Sequence, residues 1–252
     1  MKAFPMFIRT TGRKVVIVGG GEQAAQKARL LLKTDAELVV IAATLEDELQ
    51  DIVDEERARH VSVLSADIFT GATMIFIGTG CPGFDAAVHG LAKASGCLLN
   101  VVDQPELCDM TTPAIVDRDP IVVAIGSEGT APVLTRDIKT RLEEMLPVNL
   151  GGLAALAGRL RPSVSRNVSR DKRRAFWAWV FKGGARDQWT RGSERKAART
   201  IKESIAAGGA PTLQNNGQIS LVGAGPGARD LLTLRAVERL QEADVIYSDS
   251  LV

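Results

Sequence analysis

The sequence predicts an α/β fold: a Rossmann-type parallel sheet, followed by a small α/β dimerisation region and then a helical region. Three observations carry this reading. Apolar strands alternate with helical stretches from residue 14 to about 113, and the first strand runs directly into a glycine turn and a helix. Strand signals are then absent from 148 to about 210. Strand and helix in alternation imply parallel pairing through right-handed crossovers.

Val15-Val16-Ile17-Val18 is a continuous apolar run ending in glycines, the pattern of a strand buried on both faces. Ala24 to Leu32 reads as a helix and Glu37 to Ala42 as the second strand. Val61 to Leu64, Met74 to Ile77 and Leu98 to Val102 read as further strands, with a helix across Asp85 to Ala94 between the last two. Ala114 to Val116 and Ile121 to Ile125 then flank Asp117-Arg118-Asp119-Pro120, a hairpin turn. The next helix has Thr130 as its expected N-cap, Pro132 in its first turn, and Leu134, Ile138, Leu142 and Met145 along one face. A two-stranded ribbon with one helix is too small to stand alone. It is expected to pack on the first domain or on a second copy of itself.

Glycines at 208 and 209 and Asn215-Asn216-Gly217 mark a linker. Beyond it, Ile219 to Val222 reads as a strand, followed by a glycine-rich turn, a helix and a strand ending at Tyr247. These elements cannot enclose a core, so they read as the truncated start of another domain. The expected division is 1–113, 114–147, 148–212 and 217–252.

Hydrophobic residues at 45% and charged residues at 24% are ordinary for a globular domain, and aromatics at 4% leave the first third an aliphatic core. The start carries no run of signal-peptide type, and no apolar stretch approaches the roughly eighteen residues of a membrane span. A cytoplasmic chain with no membrane partner is therefore expected. Cys81, Cys97 and Cys108 lack CxxC spacing, which argues against a disulfide framework or a thiolate zinc site. His60 and His89 sit in separate surroundings, so no metal-ligand set is expected.

The net charge of +1 hides an uneven distribution. Between Arg159 and Arg199 there are thirteen Lys/Arg against three Asp/Glu, interleaved with Phe176, Trp177, Trp179, Phe181 and Trp189. Three readings stand in this order: a solvated helical face with aromatics packed inward, a surface for an anionic substrate, and nucleic-acid binding last.

Gly19-Gly20-Gly21-Glu22-Gln23-Ala24 fits G-x-G-x-x-A between a buried strand and a helix. In that setting each part has a task. Gly19 makes the tight turn, Gly21 lets the backbone approach a pyrophosphate, and Ala24 lets the helix sit close to the sheet. The helix start favours a phosphate pair, with Glu22 and Gln23 touching the cofactor through backbone. Ile41-Ala42-Ala43-Thr44 offers neither the acid that would hold an adenosine ribose nor an arginine for a 2′-phosphate. Ala43 and Thr44 are left as the ribose contacts, and NAD is favoured over NADP only weakly.

The glycine turn, Asn100-Val101-Val102-Asp103, Thr112-Pro113-Ala114-Ile115 and Ser127-Glu128-Gly129-Thr130-Ala131-Pro132 occur together in this order. With them the chain resembles the N-terminal half of the siroheme synthase family, a precorrin-2 dehydrogenase and sirohydrochlorin ferrochelatase module. Gly223-Ala224-Gly225-Pro226-Gly227 looks like the opening of that family's uroporphyrinogen-III methyltransferase module. The resemblance implies NAD-dependent oxidation of precorrin-2, insertion of ferrous iron as a substrate, and a homodimer in which the hairpin-and-helix region exchanges contacts. It also implies S-adenosylmethionine at Pro226 and an acid/base role for Asp249, expected only in a full-length parent. No methyl transfer is expected from these residues alone. Ferrochelatase activity rests on the resemblance alone.

Asp103 lies just past a parallel strand, where ligands of open α/β sheets bind, and aligns with the family's catalytic aspartate. A carboxylate there can accept protons from carbon or pyrrole nitrogen; the bland alternative is a turn-forming Asp before Pro105. Ser127 and Thr130 suit a carboxylate arm of the tetrapyrrole or, equally, ordinary capping, with capping the first reading for Thr130. Glu128 and the run Gly78 to Gly83 depart from the family pattern. The rival functions are another NAD-binding dehydrogenase or a redox-sensing regulator with a nucleic-acid-binding basic segment.

Overall fold

The computed structural model describes residues 2–211, 219–223, 227–228, 231–243 and 245–248. Two compact units emerge: residues 1–161 with 186–194, and residues 162–185 with 195–252.

The first unit is built on five parallel strands: β1 (Lys14–Val18), β2 (Glu37–Ile41), β3 (Arg59–Val61), β4 (Ala72–Ile77) and β5 (Leu98–Val101). Their order is β3-β2-β1-β4-β5. Val16 stands opposite Val39 on one side and Ile75 on the other. The chain reverses its direction of growth between β1 and β4, which opens a crevice at the C-terminal ends of those two strands.

Alternation along β1 explains the helices on both faces. Val15 and Ile17 pack with Leu38 and Val40 against α1 (Glu22–Leu31) and α2 (Asp47–Asp54). Val16 and Val18 pack with Ile75, Ile77, Leu99 and Phe69 against α3 (Pro82–Lys93). Each such fully buried side chain contributes about 1.5–3 kcal/mol. The continuous apolar run at 15–18 is thus two half-cores, one on each side of the sheet.

In this sheet one expected strand is displaced and one helix was not foreseen. The third strand occupies Arg59–Val61 rather than Val61–Leu64, and Val63 is 70% exposed. As an edge strand it pairs, among the described residues, only with β2, and His60 Nε2 lies 2.9 Å from the Ala42 carbonyl, so register with β2 outweighs local apolarity. Helix α2, absent from the sequence reading, buries only Leu49 and Ile52 beneath an otherwise acidic surface.

Strands β6 (Ala114–Arg118) and β7 (Ile121–Ile125) form an antiparallel ribbon, with Arg118 opposite Ile121 across a tight turn. It is followed by α4 (Pro132–Met145). Ala131, not Thr130, is the N-cap of α4. Thr130 Oγ1 instead donates to the Ser127 carbonyl at 2.5 Å, which holds Thr130 in the turn before the helix. Arg118 closes the other end, donating to the carbonyls of Leu146 and Glu143 at 3.0 and 3.1 Å.

Helix α5 (Leu150–Asn167) leads to α6 (Arg173–Lys182), α7 (Gly184–Thr190) and α8 (Glu194–Ala206). In the second unit Val164, Val168, Phe176, Val180, Ile201 and Ile205 are buried, while Arg166, Arg170, Lys172 and Arg174 are exposed. Phe176 meets Trp177 edge-on at 5.2 Å, and Trp177 stacks on Phe181 at 6.0 Å. The aromatic and basic residues of this segment thus face different ways.

Helix α9 (Leu234–Glu242) is capped by Thr233, which accepts from the Ala236 amide. The strands expected at 219–222 and 245–247 do not form: Leu221 and Tyr247 are fully or nearly fully exposed, and neither stretch has a neighbouring strand among the described residues.

Candidate functional site

Four strand ends meet at the crevice. The amides of Gly19, Ala42, Gly78 and Val102 donate to the Ile41, Val61, Val18 and Ile77 carbonyls, carrying the ladder one residue past the strands. This brings the glycine turn, the β2–α2 connection, the loop after β4 and the loop after β5 to a single edge.

Close approach explains the glycines there. Gly19 has φ +135, and a Cβ on it would strike the Gly78 carbonyl oxygen. On Gly20 a Cβ would strike the Thr44 carbonyl oxygen. At Gly21, the expected approach for a pyrophosphate, the Glu46 carboxylate lies alongside, with Oε1 3.1 Å from a Cβ placed there. Ala24, 1% exposed, lies 3.2 Å from a Cβ placed on Gly19, so the helix does sit close to the sheet.

Helix α1 opens at Gly21, and no side chain caps it. Such a helix start offers backbone donors and a positive dipole end to an anion. Glu22 in the first turn is drawn away: Arg29 donates to it at 2.8 and 2.9 Å and to Glu48 at 2.6 and 2.9 Å. The Arg29 guanidinium holds both carboxyls below the ordinary carboxylate range, and they raise its own pKa in return.

Gln23 joins the turn to the far strand. Its Nε2 lies 3.4 Å from Asp103 Oδ2, while its Oε1 is buried and accepts no hydrogen bond among the described residues. Asp103 itself has φ +59. This left-handed backbone is tolerated better by Asp than by most residues and recurs at functional sites. Its side chain is exposed at the sheet edge.

Lys27, one turn along α1, was not foreseen. Its Nζ is 3.3 Å from Thr112 Oγ1 and 5.9 Å from the centre of the Phe76 ring. Burial pushes its ammonium below the ordinary lysine range, and nearby groups, Asp103 among them, oppose that shift. Asn100, 7% exposed on β5, donates to the Met110 carbonyl at 2.9 Å, while its Oδ1 is buried and unpaired among the described residues.

The remaining candidates lie elsewhere. Ala43 and Thr44 are exposed beyond β2. Ser127 Oγ accepts from the Ala131 amide at 3.2 Å, so both it and Thr130 are used in shaping their own loop. Among the described residues, neither is hydrogen-bonded to Gln23 or Asp103. Glu128, at φ +51, accepts from the amides of Lys2 and Ala3 at 2.6 and 3.1 Å. Pro226 and Asp249 lie outside the described residues. No cluster of His, Cys, Asp and Glu suited to a metal ion occurs among the described residues, and no helix there is long and apolar enough to cross a membrane.

Comparison with known proteins adds three family matches. Residues 6–114 match an NAD(P)-binding family, 149–205 the sirohaem synthase dimerisation region, and 218–252 the tetrapyrrole (corrin/porphyrin) methylases. The siroheme synthase of Methylobacillus flagellatus is 39% identical over 254 residues, covering 100% of this chain and 54% of that protein. Those of Chromobacterium violaceum and Pseudomonas putida are 40% and 41% identical, again across this whole chain and 53% and 54% of theirs. The chain therefore spans about half the length of these relatives. Among solved structures, the precorrin-2 dehydrogenase SirC superposes with a TM-score of 0.63 at 21% identity, covering 80% of this chain and 100% of that one. The Rossmann-type fold is shared with it.

Proposed function

We propose that this chain, similar along its whole length to siroheme synthases, oxidises precorrin-2 to sirohydrochlorin with NAD and then takes up ferrous iron to give siroheme. One observation carries the reading: Gln23 of the glycine turn reaches Asp103 at 3.4 Å across the switch point of the sheet. A dinucleotide on the turn and a substrate at Asp103 would then be neighbours.

The residues fit a dinucleotide. Among the described residues, the helix start at Gly21 has no side-chain cap and Gln23 Oε1 is a buried acceptor without a donor, while the backbones of Gly19 and Gly20 lie flush against neighbouring strand ends. Gly19 to Gln23 would hold the pyrophosphate, with Ala43 and Thr44 toward the ribose. NAD, when bound, supplies the acceptor for the hydride that precorrin-2 loses.

The chain's own residues manage the proton. Oxidation removes two electrons as hydride together with one proton, and Asp103 is placed to take that proton into water. When ferrous iron enters the macrocycle, two pyrrole N–H protons must leave, and the same exposed carboxylate can pass them on. Gln23 positions Asp103 from one side, and Lys27 keeps a positive charge near it. Ser127 and Thr130 are assigned to carboxylate arms of the substrate, through a loop whose geometry they already maintain. The apolar face of α4, with Val133 77% and Leu134 56% exposed, supports a homodimer that covers it. Residues 1–113 are assigned to cofactor binding, 114–147 to dimerisation together with the basic helical region 148–212, of which 149–205 match the sirohaem synthase dimerisation region, and 217–252 to the methylase start. S-adenosylmethionine is assigned to that last segment, of which residues 218–252 match the tetrapyrrole methylases.

The test is anaerobic addition of precorrin-2 and NAD while following sirohydrochlorin absorbance, with wild type and Asp103→Ala. Wild type should turn over, and the variant should bind NAD but oxidise at least about 100-fold more slowly. A protein that binds NAD and leaves precorrin-2 untouched would instead be another NAD-binding dehydrogenase or a redox-sensing regulator.

A further inference from the structure

The sequence leaves one post in the dinucleotide site unfilled, because β2 runs into Ile41-Ala42-Ala43-Thr44 with no carboxylate for the adenosine ribose. The path of the chain fills it from farther on. After β2 the backbone doubles back over the glycine turn: the Glu46 amide donates to the Gly20 carbonyl at 2.8 Å, and the Thr44 carbonyl lies flush against Gly20. This strap sets the Glu46 carboxylate beside Gly21, with Oε1 and Oε2 3.1 and 3.8 Å from a Cβ placed there. A side chain on that glycine would displace it.

We propose that Glu46 is the acceptor for the adenosine ribose hydroxyls and selects NAD over NADP. This rests on the reading of the glycine turn as a dinucleotide site and deepens it.

In dinucleotide-binding folds the ribose acid comes about twenty residues after the glycine turn and acts from the β2 side. Glu46 comes slightly later in the chain yet reaches the same side, because the strap folds the connection back. Charge around it points the same way. Glu22, Ala25, Asp47 and Glu48 line one concavity with Glu46. Arg29, which is not part of that lining, is engaged by two of its members, Glu22 and Glu48. Glu46 forms no ion pair among the described residues, so its carboxylate remains available. A ribose hydroxyl donates to such an acceptor. A 2′-phosphate carries no donor at neutral pH and would face several carboxylates with their guanidinium already in use.

Equilibrium titration calorimetry of NAD⁺ and NADP⁺ against the whole chain tests this, with wild type, Glu46→Ala and Glu46→Gln. Wild type should bind NAD⁺ at least about tenfold tighter than NADP⁺, the effect of one hydrogen bond to a charged group. Glu46→Ala should weaken NAD⁺ by a similar factor without weakening NADP⁺, so that the preference collapses. Glu46→Gln should relieve the repulsion of NADP⁺ while retaining part of the NAD⁺ affinity. Glu46 is exposed, so unchanged melting curves should accompany both substitutions. An unaltered NAD⁺/NADP⁺ ratio in Glu46→Ala would overturn the proposal. So would equal tightening of both nucleotides, which would mean that the carboxylate merely competes with pyrophosphate at the helix start. If wild type binds neither nucleotide, the dinucleotide reading itself fails and takes this inference with it. If wild type binds both equally, only the role of Glu46 fails.

Discussion

The five-stranded sheet and the hairpin with α4 belong to the same compact unit, but they hold themselves together differently. In the sheet, every residue of β1 from Val15 to Val18 is at most 2% exposed, with helices on both faces. In the ribbon only Val116 is buried, and α4 buries no residue along its whole length. The sheet is complete within one chain, and its edge sets Gln23 Nε2 3.4 Å from Asp103 Oδ2. The ribbon and helix present Leu134, Ile138 and Met145 to solvent, an apolar face that the proposed second copy would cover. The proposed chemistry lies on the self-sufficient part, and the unfinished one, just ahead of the matched dimerisation region at 149–205, is the candidate surface for assembly.

Substitutions should separate the two. The largest effect is expected from Asp103→Ala, about 100-fold or more in precorrin-2 oxidation, with melting temperature and oligomeric state unchanged. Loss of fold would show instead that this left-handed residue is structural. Ile17→Ala should follow, costing about 2–5 kcal/mol in denaturant unfolding, because the side chain is fully buried among close-packed neighbours. A cost below about 1 kcal/mol would contradict the close packing assigned to that half of the core.

Ile138→Asp tests the other region. Analytical ultracentrifugation should show a shift from dimer toward monomer, while NAD⁺ binding changes less than about twofold because the sheet edge is untouched. A dimer that persists unchanged would place the interface elsewhere.

The smallest effect concerns the clamp of Arg29 on Glu22 and Glu48. Both carboxyls titrate below their unfolded values. Their contribution is thus fully present above the ordinary carboxylate pKa and is lost as pH falls through the lowered folded values. Arg29→Ala should lower the melting temperature by about a degree at neutral pH, and the difference should vanish in acid. A difference that persists in acid would mean that Arg29 acts through packing.

The same contrast explains what the sequence makes legible. Strands buried on both faces announce themselves as unbroken apolar runs, and the glycine turn declares itself by the strand before it and the helix after it. Helix α2 escapes because Leu49 and Ile52 are its only buried residues among acids. The edge strand β3 is misplaced because register with β2, not its own side chains, decides where it lies. Thr130 has the chemistry of a cap, but the turn from Ser127 uses its hydroxyl first. Asp103 is readable from its place after β5, whereas Glu46 and Lys27 owe their positions to chain reversal and helix phase. Their only advance signal is an acid within the β2–α2 connection and a lysine one turn after Gln23.

The account stands on a dinucleotide lying along the glycine turn with its reactive end toward Asp103. A crystal structure of the chain with NAD⁺ tests that directly. Pyrophosphate density against the start of α1 and nicotinamide density beside the Gln23–Asp103 pair is the predicted result. Nicotinamide far from Asp103, or a glycine turn without the coenzyme, would contradict it.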